Sequence, residues 1–328
     1  MAALPRADEL VARWTAEQHR QRAAAIFADH ELSFSLSGAG SAVPRARYVG
    51  SPTVYREDLN SIRFDGLHTV GGLDISFRNA QGEEGIAVLA VLSFPDLKVL
   101  TSISHPISLG STPYIHSFLS FREADHYVSL LEELRTRDGP VPQVLFVDGN
   151  GRWHPRQAGS AVAVGVKTGL PTVGVAKEYH PLLPASDSAL ALGSSTSADP
   201  ALLHAIDFRL TQKGMRKACH ALLEQRGDWL GLPPPSVSPQ AGNGEAKETD
   251  EYWGTAVLAS PAKGASNPVF VSPGHRLSLE TSLRLALISA ANGKVPEPVR
   301  QADLIGELSD DGSPLEPGEF SRERRSVL

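Results

Sequence analysis

The chain contains a single cysteine, Cys219, among 328 residues, which rules out an internal disulfide and any cysteine-rich zinc site. A reducing, intracellular setting is expected. No apolar run is long enough to cross a membrane: the longest, Ile86 to Phe94, falls far short of the ~20 residues a spanning helix needs. The first residues, Met1 to His19, carry Arg6, Asp8, Glu9 and Arg13 and lack the apolar core of a secretory signal. There is no excess of positive charge either. The formal net charge of -6 argues against a protein that coats nucleic acid by bulk electrostatics, so any strand would be held locally by a cation, backbone N–H groups and a few Lys and Arg. No G-x-S-x-G elbow is present. Gly165-Val-Lys-Thr168 misses a Walker loop because the upstream glycine is absent at the required spacing.

What is present reads as a globular α/β protein, 41% hydrophobic and 21% charged. Val70 to Phe77 and Ile86 to Phe94 alternate as strands, and the polar stretch with Asn79, Gly82 and Gly85 between them predicts an antiparallel hairpin. A third strand is expected over Lys98 to Pro106, and a helix over Ser117 to Arg137, stopped by Asp138, Gly139 and Pro140. Gln143 to Asp148 and Pro171 to Ala176 read as buried parallel strands, with a helix over Gln157 to Thr168 between them. Further strands are expected over Glu251 to Ser260 and Val269 to Ser272, and a helix over Ser278 to Ala291 capped by Ser278. The order β-β-β-α-β-α-β describes a mixed sheet flanked by helices. The expected organisation is an N-terminal helical extension over 1–69, a core domain over 70–303 and a disordered tail over 304–328. Stretches near 181–200 and 233–248, rich in Pro, Ser, Ala and Gly, read as disordered insertions.

Three acids stand where carboxylates are costly. Asp74 lies mid-strand between Leu73 and Ile75, opposite in face to them, and needs a cation or several donors if helices cover it; the plainer alternative is a solvent-facing edge residue. Asp148 ends an apolar strand at the end where open α/β sheets bind ligands, although Asp-Gly is also ordinary turn chemistry. Glu123 falls on the apolar arc of its helix with Leu119, Tyr127, Leu130 and Leu134, while Arg122, Asp125 and Glu133 are assigned to the solvent face. A Glu reaching out from the arc's margin is the alternative. Hard oxygen ligands of this kind suit Mg²⁺, with Mn²⁺ as a substitute, and with them the hydrolysis of a phosphodiester.

The same strings resemble the endonuclease V family and its ribonuclease H-like fold: Val70-Gly-Gly-Leu-Asp-Ile-Ser-Phe77, Pro113-Tyr-Ile, Phe121-Arg-Glu123, Val147-Asp-Gly-Asn-Gly151, His154-Pro-Arg156, Val173-Gly-Val-Ala-Lys177, Gly274-His-Arg276 and Pro296-Glu-Pro-Val-Arg300. Each is weak alone; eight in order are specific. The resemblance implies a metal-dependent endonuclease cutting one nucleotide 3′ of inosine or deoxyinosine. Asp74, Asp148 and Glu123 would be its metal-binding and catalytic acids. Lys177 and His154 would lie near the cut phosphate as cations, though a solvated strand-end lysine and an ordinary loop histidine are their plain readings. Pro113, Tyr114 and Ile115 would form a wedge that stacks at the lesion, with extrusion of the modified base into a pocket; relatives continue that wedge with proline where this chain has His116. Gly149 and Gly151 would bring backbone N–H groups to a base or phosphate, unless turn geometry alone requires them. His275 would reach a phosphate, unless it is simply packed at a helix start. The resemblance further implies single-stranded inosine-containing RNA or DNA as partner, no membrane, a monomer, and a nuclear, nucleolar and cytoplasmic location. A non-cleaving binder of deaminated nucleic acid and another ribonuclease H-like nuclease are the competing readings.

Overall fold

In a computed structural model, residues 7–38, 43–45, 53–78, 83–182, 211–234, 252–262 and 267–307 are described. The chain opens with α1 (Ala7–Ala24) and four three-residue strands, β1 (Ser35–Ser37), β2 (Val43–Arg45), β3 (Val54–Arg56) and β4 (Arg63–Asp65). Then come β5 (Thr69–Phe77), β6 (Glu84–Ser93), β7 (Val99–Ser108), α2 (Ser120–Thr136), β8 (Val144–Asp148), α3 (Ser160–Thr168) and β9 (Thr172–Ala176). The last part holds α4 (Gln212–Leu222), β10 (Asp228–Leu232), β11 (Gly254–Val257), β12 (Val269–His275), α5 (Leu279–Ser289) and α6 (Glu297–Gly306). A ten-stranded sheet in the order β2-β3-β10-β11-β12-β9-β8-β5-β6-β7 forms the frame. The expected hairpin is β5 on β6, antiparallel from Thr69↔Ser93 to Phe77↔Gly85, and the expected parallel strands β8 and β9 pair as β5–β8 and β8–β9.

Strand alternation divides the core in two. Val70, Val88, Val144, Phe146, Val173 and Val175 face α5 and α6, whereas Leu73, Ile75, Leu89, Leu145 and Val147 face α2 and α3. Burial on both faces explains why β8 and β9 read as continuous apolar runs. α3 begins later than its periodicity suggests because Gln157 adopts a positive φ of 51° and Gly159 takes the N-cap position. Cys219 is buried against Met215, and its thiol is pushed up to about 12 by desolvation.

The N-terminal region is not the separate helical extension expected over 1–69. Among the described residues only α1 is helical there; β3 pairs with β10 and β2 with β3, Arg56 binds Asp228 through Nε and Nη2, and Glu57 forms a buried ion pair with Arg284 at 2.9 Å. Three-residue strands show too little alternation to be read locally, and their partners lie far along the chain. From residues 183 and 235 onward the expected insertions lie outside the described residues, as does the tail from residue 308; residues 304–306 belong to α6 rather than to the tail. Among the described residues no helix is long and apolar enough to cross a membrane.

Candidate active site

Asp74 and Asp148 meet because their strands run parallel in register: Leu73 pairs with Val147, so the following acids lie side by side on the face covered by α6. β9 is the next strand, and Lys177 follows its last residue. Its ammonium lies 2.8 Å from Asp148 Oδ2, 3.3 Å from Asp303 Oδ2 and 3.9 Å from Asp74 Oδ1. Asp303 comes from α6, one helical turn beyond Val299. Gly72 lets that helix approach β5, since a Cβ there would sit 1.9 Å from the Pro298 carbonyl oxygen, and Gly306 rests against Ser76. Glu123 enters from the other layer. It is buried at the first turn of α2, and its Oε2 accepts a hydrogen bond from Ser160 Oγ at 3.1 Å.

Charge is crowded here. Desolvation first, and then the Asp148 charge and a side-chain hydrogen bond to it, hold the Asp74 carboxyl well above the usual range. Burial followed by Asp148 pushes Glu123 up to about 8. Burial alone would lower Lys177, but Asp148, Asp74 and Asp303 outweigh it and raise its pKa, keeping the ammonium charged. The sign of the Glu123 shift gives a stability prediction. A carboxyl with a raised folded-state pKa contributes stability that is complete below its unfolded pKa of about 4.5 and is lost as pH rises through about 8. In chelator, the melting temperature of the wild type relative to Glu123→Gln is therefore expected to fall steadily from pH 5 to pH 8. A constant difference across that range would contradict the burial of an ionisable carboxyl at this position.

Asp74, Glu123, Asp148 and Lys177 are thus brought together, and Asp303 joins them without having been singled out from the sequence. Its signal was present: Asp303 shares a helical face with Val299, Ala302 and Gly306, the same pattern that marked Glu123. Arg122, assigned to solvent, is instead buried, with its guanidinium 5.9 Å from the Tyr114 ring centroid.

Several expected site residues serve other ends. His154 is buried; its Nε2 donates to the Ser117 carbonyl at 2.9 Å and its Nδ1 accepts from the Arg156 and Ala158 amides. Desolvation lowers it to about 3, so it is a neutral clasp and not a cation beside a phosphate. His275 pairs with Thr172 at the start of β9, the opposite end from Lys177, and its Nδ1 accepts from the Ile26 amide. The Gly149 amide is bound to Val175 O and the Gly151 amide to Ser272 Oγ, so neither is free for a base or phosphate; a φ of 135° at Gly149 and a Cβ site 2.4 Å from Pro273 O at Gly151 are why glycine stands there. In the segment expected to form a wedge, Pro113 and Tyr114 are exposed, whereas Ile115 turns inward onto Leu10, Trp14 and Phe118.

A mixed sheet carrying Asp74 within β5 beside Asp148 at the end of the adjacent parallel β8 is an α/β fold of ribonuclease H-like build. The Endonuclease V family model matches residues 52–204 and 236–304, and the chain belongs to that family. It is 36% identical to Endonuclease V of Homo sapiens over 242 residues, 74% of this chain and 71% of the relative. With Endonuclease V of Mus musculus it shares 34% over 276 residues, 84% of this chain and 68% of the relative. The crystal structure of the catalytic domain of human Endonuclease V superposes with a TM-score of 0.63 at 32% identity, covering 92% of this chain and 96% of that one. The same fold is shared, at a TM-score of 0.64 and 24% identity, by Ciona intestinalis Endonuclease V in complex with a 24mer DNA containing an inosine followed by a ribo-adenosine, covering 91% of this chain and 96% of that one.

Proposed function

We propose that this protein is a divalent-cation-dependent endonuclease that hydrolyses the phosphodiester one nucleotide 3′ of inosine or deoxyinosine, in RNA or DNA, for repair or for turnover of inosine-containing RNA. The observation that carries this reading is the gathering of Asp74, Asp148 and Asp303 around one ammonium, Lys177. Three carboxylates share one cation, and burial first, then the neighbouring Asp148, holds the Asp74 carboxyl above its usual range. That donor set fits Mg²⁺ or Mn²⁺. Among the described residues no three His, Cys, Asp or Glu side chains close into a ready cage; Mg²⁺ is commonly held by one or two carboxylates together with water and substrate phosphate. Asp74 and Asp148 would hold it, with Asp303 and Glu123 beside them. When bound, such an ion polarises the phosphoryl oxygen and acidifies a coordinated water.

The chain's own groups have separate tasks. Lys177, charged beside Asp148, Asp74 and Asp303, offers positive charge to a phosphate developing negative charge. Tyr114, 46% exposed, offers a ring to the bases beside the lesion. The Ciona relative's inosine-containing ligand supports inosine as the recognised base. The test is cleavage of matched single-stranded RNA and DNA oligonucleotides bearing one inosine, with Mg²⁺ and with chelator. Cutting that needs both inosine and the cation is expected, with RNA cut at least as well as DNA; binding without turnover would replace the enzyme by a binding module. Tyr114→Ala is expected to weaken binding and cleavage at inosine roughly tenfold, since base stacking on an aromatic ring is worth about 1–3 kcal/mol. Its melting temperature should barely change, and a folding defect with intact specific cleavage would make Tyr114 structural.

A further inference from the structure

The wedge loop has a contact that the acid cluster does not use. His116 is exposed, and its imidazole stacks on that of His180, with ring centroids 4.6 Å apart and an interplanar angle of 27°. His180 lies three residues beyond Lys177 in a connector that is itself pinned. Tyr179 is buried against Trp153 and Phe270, and the His180 carbonyl accepts from Trp153 Nε1 at 2.9 Å. The far side of the wedge is fixed as well. Ser117 holds a positive φ of 64°, and its carbonyl accepts from His154 Nε2, Gln18 Nε2 and Arg156 Nη2. Tyr114, exposed, lies two residues before the first of these anchors. Burial, with His116 as the second cause, lowers His180 to about 4, so near neutral pH it stacks as an uncharged ring.

We propose that His116 and His180 form an aromatic latch that ties the Pro113–His116 loop to the connector carrying Lys177, which makes His116 a positioning residue for Tyr114. The catalytic consequence rests on the inosine-directed reading above; the latch is a property of the free protein. With the latch lost, the loop keeps Ile115, Ser117 and the Tyr114–Arg122 contact, and the ratio of molecules with Tyr114 in place to those without falls roughly three- to tenfold, the range expected for one aromatic pair. The loss matters most where the ring must enter stacked bases, and least on a single strand whose bases are already apart. An imidazole is not required for this; any flat ring at position 116 serves.

Wild type, His116→Ala and His116→Phe would be compared in two assays. Chymotrypsin digestion of the free protein, followed by fragment mass at the Tyr114–Ile115 bond with the new cut that His116→Phe opens after position 116 counted separately, reads the loop itself. KM and kcat on inosine in duplex and in single strand read its use. His116→Ala is expected to speed digestion at Tyr114 severalfold and to raise KM on duplex by a smaller factor, the two changes multiplying to roughly three- to tenfold, with kcat and single-strand KM little changed. His116→Phe restores both. Unchanged digestion in His116→Ala, equal losses on both substrates, or His116→Phe behaving like His116→Ala would each overturn the latch. A wild type that leaves inosine substrates uncut, with digestion as expected, overturns the inosine reading while upholding the latch.

Discussion

Asp148→Asn is expected to lower turnover at inosine by a hundredfold or more while leaving the fold at least as stable. The two effects diverge for one reason. Asp148 is the nearest partner of Lys177 and the leading charge, after desolvation, in raising both Asp74 and Glu123. A neutral amide of the same shape is a poor ligand for a hard cation, so chemistry suffers. The same change relieves repulsion between neighbouring acids, while Lys177 keeps Asp303 and Asp74 within reach. Single-turnover cleavage and thermal melting, measured on the same preparation, check the pair of outcomes. Near-normal turnover would remove Asp148 from the reaction, and a collapsed fold would make it structural.

Gly72→Ala should act in the reverse way, through the frame rather than the chemistry. A Cβ at this position would lie 1.9 Å from the Pro298 carbonyl oxygen, 2.1 Å from its carbon and 2.7 Å from the Val299 nitrogen. These are backbone atoms at the start of α6 and cannot rotate aside. The helix must lift from β5, carrying Asp303 away from Lys177. Overpacking of this kind costs about 1–3 kcal/mol and more when backbone must move, so a loss of roughly 3 kcal/mol or more in denaturant unfolding is expected together with loss of cleavage. Gly71→Ala is the control. Its Cβ meets the side chains of Leu145 and Pro142 at 2.8 and 2.9 Å, and the Leu145 end can yield. Wild-type stability in Gly72→Ala would mean that α6 does not seat against the strand as described.

The sequence disclosed those features whose signal is local. Alternation in Val70 to Phe77 placed Asp74 opposite Leu73 and Ile75; helical spacing placed Glu123 beside Tyr127; the short apolar run before Asp148 marked a buried parallel strand. Asp303 escaped notice because α6 is short and starts at Glu297-Pro298, so its periodicity is brief, although the pattern of Val299, Ala302 and Gly306 was there to find. Arg122 was misplaced because a helical arc knows nothing of the loop that folds Tyr114 against it. His154 and His275 shared the residue type of a catalytic group, but their roles depend on acceptors and donors far along the chain: Ser117 for one, the Ile26 amide for the other. The strands before residue 69 were illegible for the same reason, since each is three residues long and finds its partner only in the folded sheet.

That last pairing sets a limit on how the molecule can be divided. β3 covers the outer side of β10, Tyr55 stacks on Trp229 with centroids 4.4 Å apart, and Glu57 neutralises a guanidinium sealed inside the protein. A version trimmed to the stretch that begins at β5 would keep the clustered acids, yet it would leave the buried Arg284 with Glu280 alone, a partner that faces solvent, and bare a row of unsatisfied backbone groups along β10, the kind of surface on which chains stick to one another.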